Sequence, residues 1–280
     1  MRKIGEINGL RDLRGHSLSG GSAPVPSTDP DAAAWFAAAS PPISDPTEKA
    51  AVNQFALDLK GTGSTPNNSD VWSSLHWINL VSATSLAASL NDLKGGYNLT
   101  AYNSPTWSPN GIMGNGINQY LQQTYIASTD GSVLNSNSFG MAVRTPQNVD
   151  ASLMGARFGT TPYTVFNYYS GLRYVGNNST FATFSDPNYP NGVIISNRVS
   201  GTDFKIWINN LSIYNVVTPT NSLAPVPMNI LSQNYQGSAL VFSDMEFTVA
   251  FEGEGLTANQ IEDLNASINT LNLNIIAGGR

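Results

Sequence analysis

Residues 202–217 read "TDFKIWINNLSIYNVV", two short alternating runs joined by an Asn pair. Phe204, Ile206 and Ile208 alternate with Lys205, Trp207 and Asn209, the period of two that sends successive side chains to opposite faces of a strand. Asn accepts positive φ more readily than any residue except Gly. Asn209-Asn210 therefore suits a two-residue turn whose twist matches its flanking strands. Such a turn sets Ile208 opposite Leu211 and Ile206 opposite Ile213, so that four apolar side chains share one face. Lys205 and Trp207 would meet Tyr214 and Ser212 on the other. A lone hairpin is marginal in water, so this one must belong to a larger sheet.

The rest of the chain agrees with a sheet protein. Only 11% of its 280 residues are charged, and 10% are aromatic. Asn, Ser, Thr and Gly supply the polar surface, residues that favour turns over helix interiors. From Tyr97 onward, strand candidates follow one another: "YNLTAY", "QYLQQTYI", "SFGMAVRT", "SLMGARFG", "YTVFNYY", "LRYVG", "GVIISNRV", the hairpin above, "MNILSQN" and "EFTVAFEG". Turn residues separate most of them, and no helical pattern interleaves. That spacing indicates an all-β sandwich or barrel. Helices are expected at the two ends of this run. In "DPTEKAAVNQFALDLK" (45–60), Asp45 caps, Pro46 takes the first helical position and Glu48 completes a capping box, with Val52, Phe55, Ala56 and Leu59 as the buried stripe. "DVWSSLHWINLV" (70–81) opens with a short turn capped by Asp70 and runs into a strand around Trp77. In "LTANQIEDLNASINTL", Thr257 and Gln260 form a second capping box ahead of Ile261, Leu264, Ile268 and Leu271.

Residues 1–43 have a different character. "SLSGGSAPVPSTDPD" is a linker composition, and "DAAAWFAAAS" carries Trp35 and Phe36 before Pro41-Pro42. Residues 1–16 carry a net charge of +2, which leaves −8 on the remainder of a chain whose total is −6. A basic arm on an acidic body suits docking to an acidic partner. The overall charge argues against nucleic acid as that partner. The absence of cysteine excludes disulfides, thiolate catalysis and Cys-based zinc sites. No run of 18 apolar residues is present, so no membrane span is expected, and the N-terminus lacks the apolar core of a secretory signal.

Taken in order, these segments resemble concanavalin-A-like, or laminin-G-like, jelly rolls. "FKIWINNLSIYN" is similar to the hairpin that recurs there, and "GLTANQIEDLNASI" to the characteristic closing helix. The helix "EKAAVNQFALDLK", the Trp-containing turn "DVWSSLHWINLV" and the "LKG"-like loop in "NDLKGGYNLTAYNSPTWSPNGIMGNGINQYLQQTYI" resemble a variant found among tailed-phage virion structural proteins. The match covers about residues 45–275. It implies a capsid decoration or head-fibre protein, or a tail or collar accessory, on the surface of the phage particle. Residues 1–43 lie outside it, as a mounting segment would.

The candidates for chemistry are few. Retaining glycosidases need two carboxyl groups about 5 Å apart. The E-x-D-x-x-E strand pattern of related enzymes is absent, and the nearest substitutes are Asp244, Glu246, Glu252 and Glu254, of which Asp244 and Glu246 would share a face. His16 and His76 are isolated, and His76, between Leu75 and Trp77, reads as a packing residue. "GIMGNG" (111–116) lacks the Lys-Ser/Thr of a phosphate loop and reads as a turn. Asp130 and Asp203 could bind calcium, as in some laminin-G-like domains, but read as solvated turns. Sugar sites need aromatic platforms beside Asn, Asp or Arg, for which Tyr163, Tyr168, Tyr169, Tyr174, Tyr189 and Trp207 are candidates, no glycan-binding set being assignable among them.

The expectation is therefore an extended anchoring arm (1–43), a helical lead-in packed on the sandwich (44–95) and a jelly-roll sandwich with a C-terminal helix (96–280). The chain is expected not to be an enzyme and to use no cofactor or metal. Arg2, Lys3, Arg11, Arg14, Trp35 and Phe36 would bind other virion proteins. The body would face outward toward host or mucosal glycans, and a homo-oligomer would suit a fibre. The alternatives are a glycan-active enzyme, which would use Asp244 and Glu246 in a cleft, and a free secreted lectin.

Overall fold

The computed structural model describes residues 28–145, 150–160, 163–169, 172–185 and 191–277. Their strands form two sheets packed face to face, antiparallel apart from one short parallel pairing. The eight-stranded sheet runs in the order Leu211–Val217, Asp203–Ile208, Gly192–Arg198, Asn137–Thr145, Glu246–Gly253, Gly111–Met113, Thr106–Ser108, and Leu75–Leu80 pairs with Glu246–Gly253. The nine-stranded sheet runs Ala182–Ser185, Leu172–Ser179, Tyr163–Tyr169, Ala151–Arg157, Asn229–Ile230, Tyr120–Gln123, Leu99–Tyr102, with the hairpin Gln233–Tyr235/Ser238–Leu240 attached beside Ala151–Arg157. The chain is an all-β sandwich, as its strand spacing requires.

Alternation then sets the core. Phe139, Met141, Val143, Phe204, Ile206 and Phe247 of one sheet meet Leu121, Leu153, Phe166, Tyr168, Val175 and Ile230 of the other. The opposite face of the eight-stranded sheet is apolar too, with Ile78, Val193, Ile195, Val249 and Phe251 covered by three helices, Pro30–Ala38, Pro46–Leu59 and Ala258–Ala277. The middle of Asn137–Thr145 is thus buried on both faces, and residues 139–143 read as a continuous run without polar side chains for that reason. Among the described residues, the outer face of the nine-stranded sheet has no such helical cover.

The 202–217 hairpin turns where its sequence says. Asn209 and Asn210 have φ of 47° and 69°, and Ile208 pairs with Leu211 and Trp207 with Ser212. The register then slips by one residue, and Ile206 pairs with Tyr214 in place of Ile213. This bulge alters the expected four-residue apolar face. Phe204, Ile206 and Val216 are buried, while Leu211 and Ile213 are 68% and 36% exposed.

Both helix starts keep their expected caps. Asp45 accepts the backbone N–H groups of Thr47 and Glu48 at 2.8 and 3.0 Å. Thr257 N donates to Gln260 Oε1 and Gln260 N to Thr257 Oγ1 at 2.9 and 3.2 Å. Glu48 does not close a capping box. Its carboxylate is buried and accepts from Ala83 N (3.0 Å) and Thr84 Oγ1 (2.6 Å), tying the helix to the loop after Leu75–Leu80.

Trp35 and Phe36 require a correction. They lie on helix Pro30–Ala38 and are 2% and 6% exposed, packed within the chain's own helical layer. Burying their rings internally removes the apolar area that a partner would have covered. Trp35 Nε1 also donates to Asn91 O at 3.2 Å. Arg2, Lys3, Arg11, Arg14 and His16 lie outside the described residues.

Candidate functional site

The outer face of the nine-stranded sheet can be read row by row, because residues paired in register share a face. Gly155 pairs with Val165, and Val165 with Gly176. Two residues with no side chain thus flank Val165 on neighbouring strands, and the sheet surface is low there. Around this floor stand Arg157, Asn167, Tyr174, Phe181, Gln233 and Val241, enclosing a cleft of about 220 Å³. Tyr174 pairs in register with Asn167, which places the two on one face. The rings of Tyr174 and Phe181 meet edge to face at 5.2 Å, and Phe181 is 42% exposed. Arg157 lies over the ring of Tyr235 at 4.8 Å, and its Nε donates to Gly159 O.

The polar lining is unusual. Asn167 Nδ2 donates to Gln233 Oε1 at 3.3 Å. That bond leaves Asn167 Oδ1 and Gln233 Nε2 without partners, both shielded from bulk water, and Gln233 is 3% exposed. Reversing both amides exchanges the roles and still leaves one donor and one acceptor unused. A buried polar atom without a partner costs about 1–3 kcal/mol. The cost is recovered if a ligand supplies a group that both donates and accepts, as a hydroxyl does.

Among the described residues, concavities larger than this occur at two other places. A groove of about 700 Å³ between helices Pro30–Ala38 and Pro46–Leu59 is mostly apolar and begins at Thr28, next to undescribed chain. One of about 330 Å³ contains Trp207 and the start of helix Ala258–Ala277. Trp207 Nε1 has no partner there, but its ring packs on the helical layer, and the other ring in the lining, that of Phe204, is 1% exposed and belongs to the core between the sheets. The cleft at Val165 combines paired rings with unpaired amides, and it is the candidate site.

Of the aromatic residues singled out from sequence, Tyr174 lines this cleft. Tyr168 is 5% exposed and faces the core between the sheets. Tyr189 lies outside the described residues, as do the side chains of Tyr163 and Tyr169. Phe181, Gln233 and Tyr235 were not anticipated. Their one sequence signal is the pair of amides in "LSQN", where an uninterrupted strand would carry apolar residues.

The carboxylates do not converge here. Asp244 is exposed and precedes the strand on which Glu246 sits, half-buried and hydrogen-bonded by Ser108 and Thr145. Glu252 lies between the sheets, 2% exposed, and accepts from Trp77 Nε1 at 3.3 Å. Burial pushes its pKa up to about 8. Burial, with Glu252 adding, also raises the hydroxyl pKa of Tyr125. His76 stacks on Tyr125 at 5.1 Å, and burial lowers its pKa. Asp130 accepts from Ile126 N within its own turn, and Asp203 accepts from Ser200 and Thr202. At 111–116, strand Gly111–Met113 leads into a turn in which Asn115 Oδ1 accepts the N–H groups of Ile117, Asn118 and Gln119.

No family model and no curated protein matches the sequence. Solved structures match in shape. A Trypanosoma rangeli sialidase in complex with 2,3-difluorosialic acid, as a covalent intermediate, is similar with a TM-score of 0.56 at 12% identity, over 80% of this chain and 39% of the sialidase. A mutant of Trypanosoma rangeli sialidase displaying trans-sialidase activity gives 0.52 at 13% identity, over 80% and 38%. A mutant of HCR/D gives 0.51 at 7% identity, over 70% of this chain and 52% of that one. The chain therefore spans less than two fifths of the sialidases' length, and at these identities the likeness is one of fold. It corrects the expectation that the chain is not an enzyme. The architecture is shared with glycan-active enzymes, and the lack of an E-x-D-x-x-E strand does not exclude such an activity.

Proposed function

We propose that the outer face of the nine-stranded sheet binds carbohydrate, as a neutral pyranoside resting against Tyr174 and Phe181. The observation that carries this reading is the Asn167–Gln233 pair. It keeps one hydrogen-bond donor and one acceptor unused beside two aromatic rings. Apolar ring faces take the C–H face of a sugar, while the two amides turn toward the cleft and give their unused atoms to its hydroxyls. The chain's charge of −6 disfavours an acidic ligand, and Arg157 is occupied by Tyr235 and Gly159. The sandwich fold shared with sialidases supports a carbohydrate ligand.

In the same reading the domain is displayed on a phage particle; of the arm expected over residues 1–43, helix Pro30–Ala38 and Ile43 pack on the body, which leaves residues 1–27 as the mounting segment. Support comes from the ordered motifs at 45–275 and from the basic residues Arg2, Lys3, Arg11 and Arg14 ahead of an acidic body.

The test is binding of the purified chain to a printed panel of neutral glucose, galactose, mannose and N-acetylglucosamine oligosaccharides, with sialylated ones alongside. Tyr174→Ala should weaken the strongest interaction about tenfold, equivalent to ~1.4 kcal/mol. Binding to no member of the panel, or binding unaffected by Tyr174→Ala, overturns the reading.

A further inference from the structure

The same sheet face carries a second aromatic group. Tyr102 and Tyr120 pair in register on adjacent strands, and their rings stack at 4.6 Å with an angle of 2° between planes. Leu121, next to Tyr120, and its partner Ala101, next to Tyr102, pack on the core, so the two tyrosines lie on the outer face. Tyr102 is 37% exposed. Phe242 closes one side, its ring 6.0 Å from Tyr120. Gln119 donates to Ser104 O at 2.8 Å, and its buried Oε1 has no partner. Aromatic rings thus gather at two places on one surface.

The two groups are joined. Val241 lines the cleft at Val165, and the next residue, Phe242, touches Tyr120. Ser152 N donates to Val241 O and Ser243 N to Leu231 O, which fixes this strip across the sheet. Tyr174 and Tyr120 stand on strands separated by four inter-strand steps in the sheet order. At ~4.8 Å per step the separation is roughly 19 Å, the length of a short oligosaccharide and well beyond one sugar ring.

We propose that the Tyr102–Tyr120–Phe242 patch is a second subsite for the same neutral glycan, so that the face takes a linear oligosaccharide of several pyranose units. This rests on the carbohydrate reading of the first cleft. It adds chain-length selection, in which the first cleft holds one unit and the second a unit farther along the same chain.

Calorimetric titration of the full chain with two ladders tests it: β-1,4-linked glucose and β-1,4-linked N-acetylglucosamine, each from monomer to hexamer. The expected result is a rise in affinity of at least tenfold once the oligosaccharide is long enough to reach the second patch. Tyr102→Ala should abolish that rise and leave the shortest binding members unchanged, whereas Tyr174→Ala weakens every length. Tyr102→Phe keeps the ring and should keep the rise, which separates loss of a subsite from loss of fold. Equal affinity at all lengths, or a rise that survives Tyr102→Ala, overturns the second subsite and leaves the first cleft standing. Absence of binding at every length removes both.

Discussion

Replacing Glu252 by Gln tests the account of the interior. Glu252 sits between the sheets opposite Phe139 and beside Trp77, and it is 2% exposed. Burial, partly offset by the Trp77 hydrogen bond, raises its pKa from 4.5 to about 8. The native protein therefore holds this proton up to about pH 8, while the unfolded chain releases it near 4.5. Between those values the native state binds more protons than the unfolded state. Stability then falls as pH rises through the window, and the loss is complete above it. An interval of about 3.5 pH units, at ~1.4 kcal/mol each, gives on the order of 5 kcal/mol. Gln has the same shape, is neutral throughout, and can keep the bond from Trp77 with its Oε1. Glu252→Gln should match the parent near pH 4.5 and exceed it increasingly toward pH 8, by about 10 °C in midpoint at ~2 °C per kcal/mol. Urea and thermal unfolding of both proteins at half-unit intervals from pH 4.5 to 8.5 measure this. Asp92, raised by burial, and His76, lowered by it, titrate in both proteins and cancel in the difference. Parallel stability profiles would refute the burial of a protonated Glu252.

Two further outcomes are expected. Asp92 is 2% exposed and accepts the backbone N–H groups of Ile78, Lys94, Gly96 and Tyr97 at 3.0–3.1 Å. Asp92→Ala strands four donors at about 1–3 kcal/mol each before relaxation, so a loss of about 3 kcal/mol or more is expected in urea unfolding, and a loss under ~1 kcal/mol would contradict the role. Deleting residues 1–27 should leave glycan binding unchanged and abolish incorporation into assembled particles, measured by quantitative mass spectrometry of purified virions. Full incorporation of the truncated chain would defeat the mounting proposal.

What the sequence makes legible is local. The Asn209-Asn210 turn, the Asp45 cap and the Thr257/Gln260 box each depend on a few neighbouring residues, and each forms. Strands Thr106–Ser108, Gly111–Met113 and Ser238–Leu240 are not legible in the sequence, because three residues carry too little alternation to register. The bulge beside Ile206 is equally silent, since either register keeps the period of two until the partner strand is known. Glu48 shows how context overrides a motif. Its capping-box spacing is correct, but Ala83 N and Thr84 Oγ1 bind the carboxylate. The cleft was hidden for the same reason as the bulge. Gly155, Val165 and Gly176 form a row through pairings across three strands, and nothing in their separate sequences aligns them.

The composition itself connects stability with recognition. With few charges available, the sandwich uses neutral amides as its internal fasteners. Asn137 donates to Asn177, and Asn177 donates in turn to Asn137 O and Ser196 Oγ, joining the two sheets at one end. The fully buried Arg198 is held by the carbonyls of Asn177, Ser200, Asp203 and Thr218 and by the Phe204 ring. Desolvating a neutral amide costs far less than desolvating an ion, so such groups can be buried in number provided that they find partners. Asn79 and Asn137 each leave one atom unpaired, but they do so in the closed interior, where no ligand can enter. Asn167 and Gln233 leave theirs in the lining of an open cleft beside two rings. A chain that fastens its interior with amides has, at that one pair, the means to bind a polar, uncharged ligand without burying any charge.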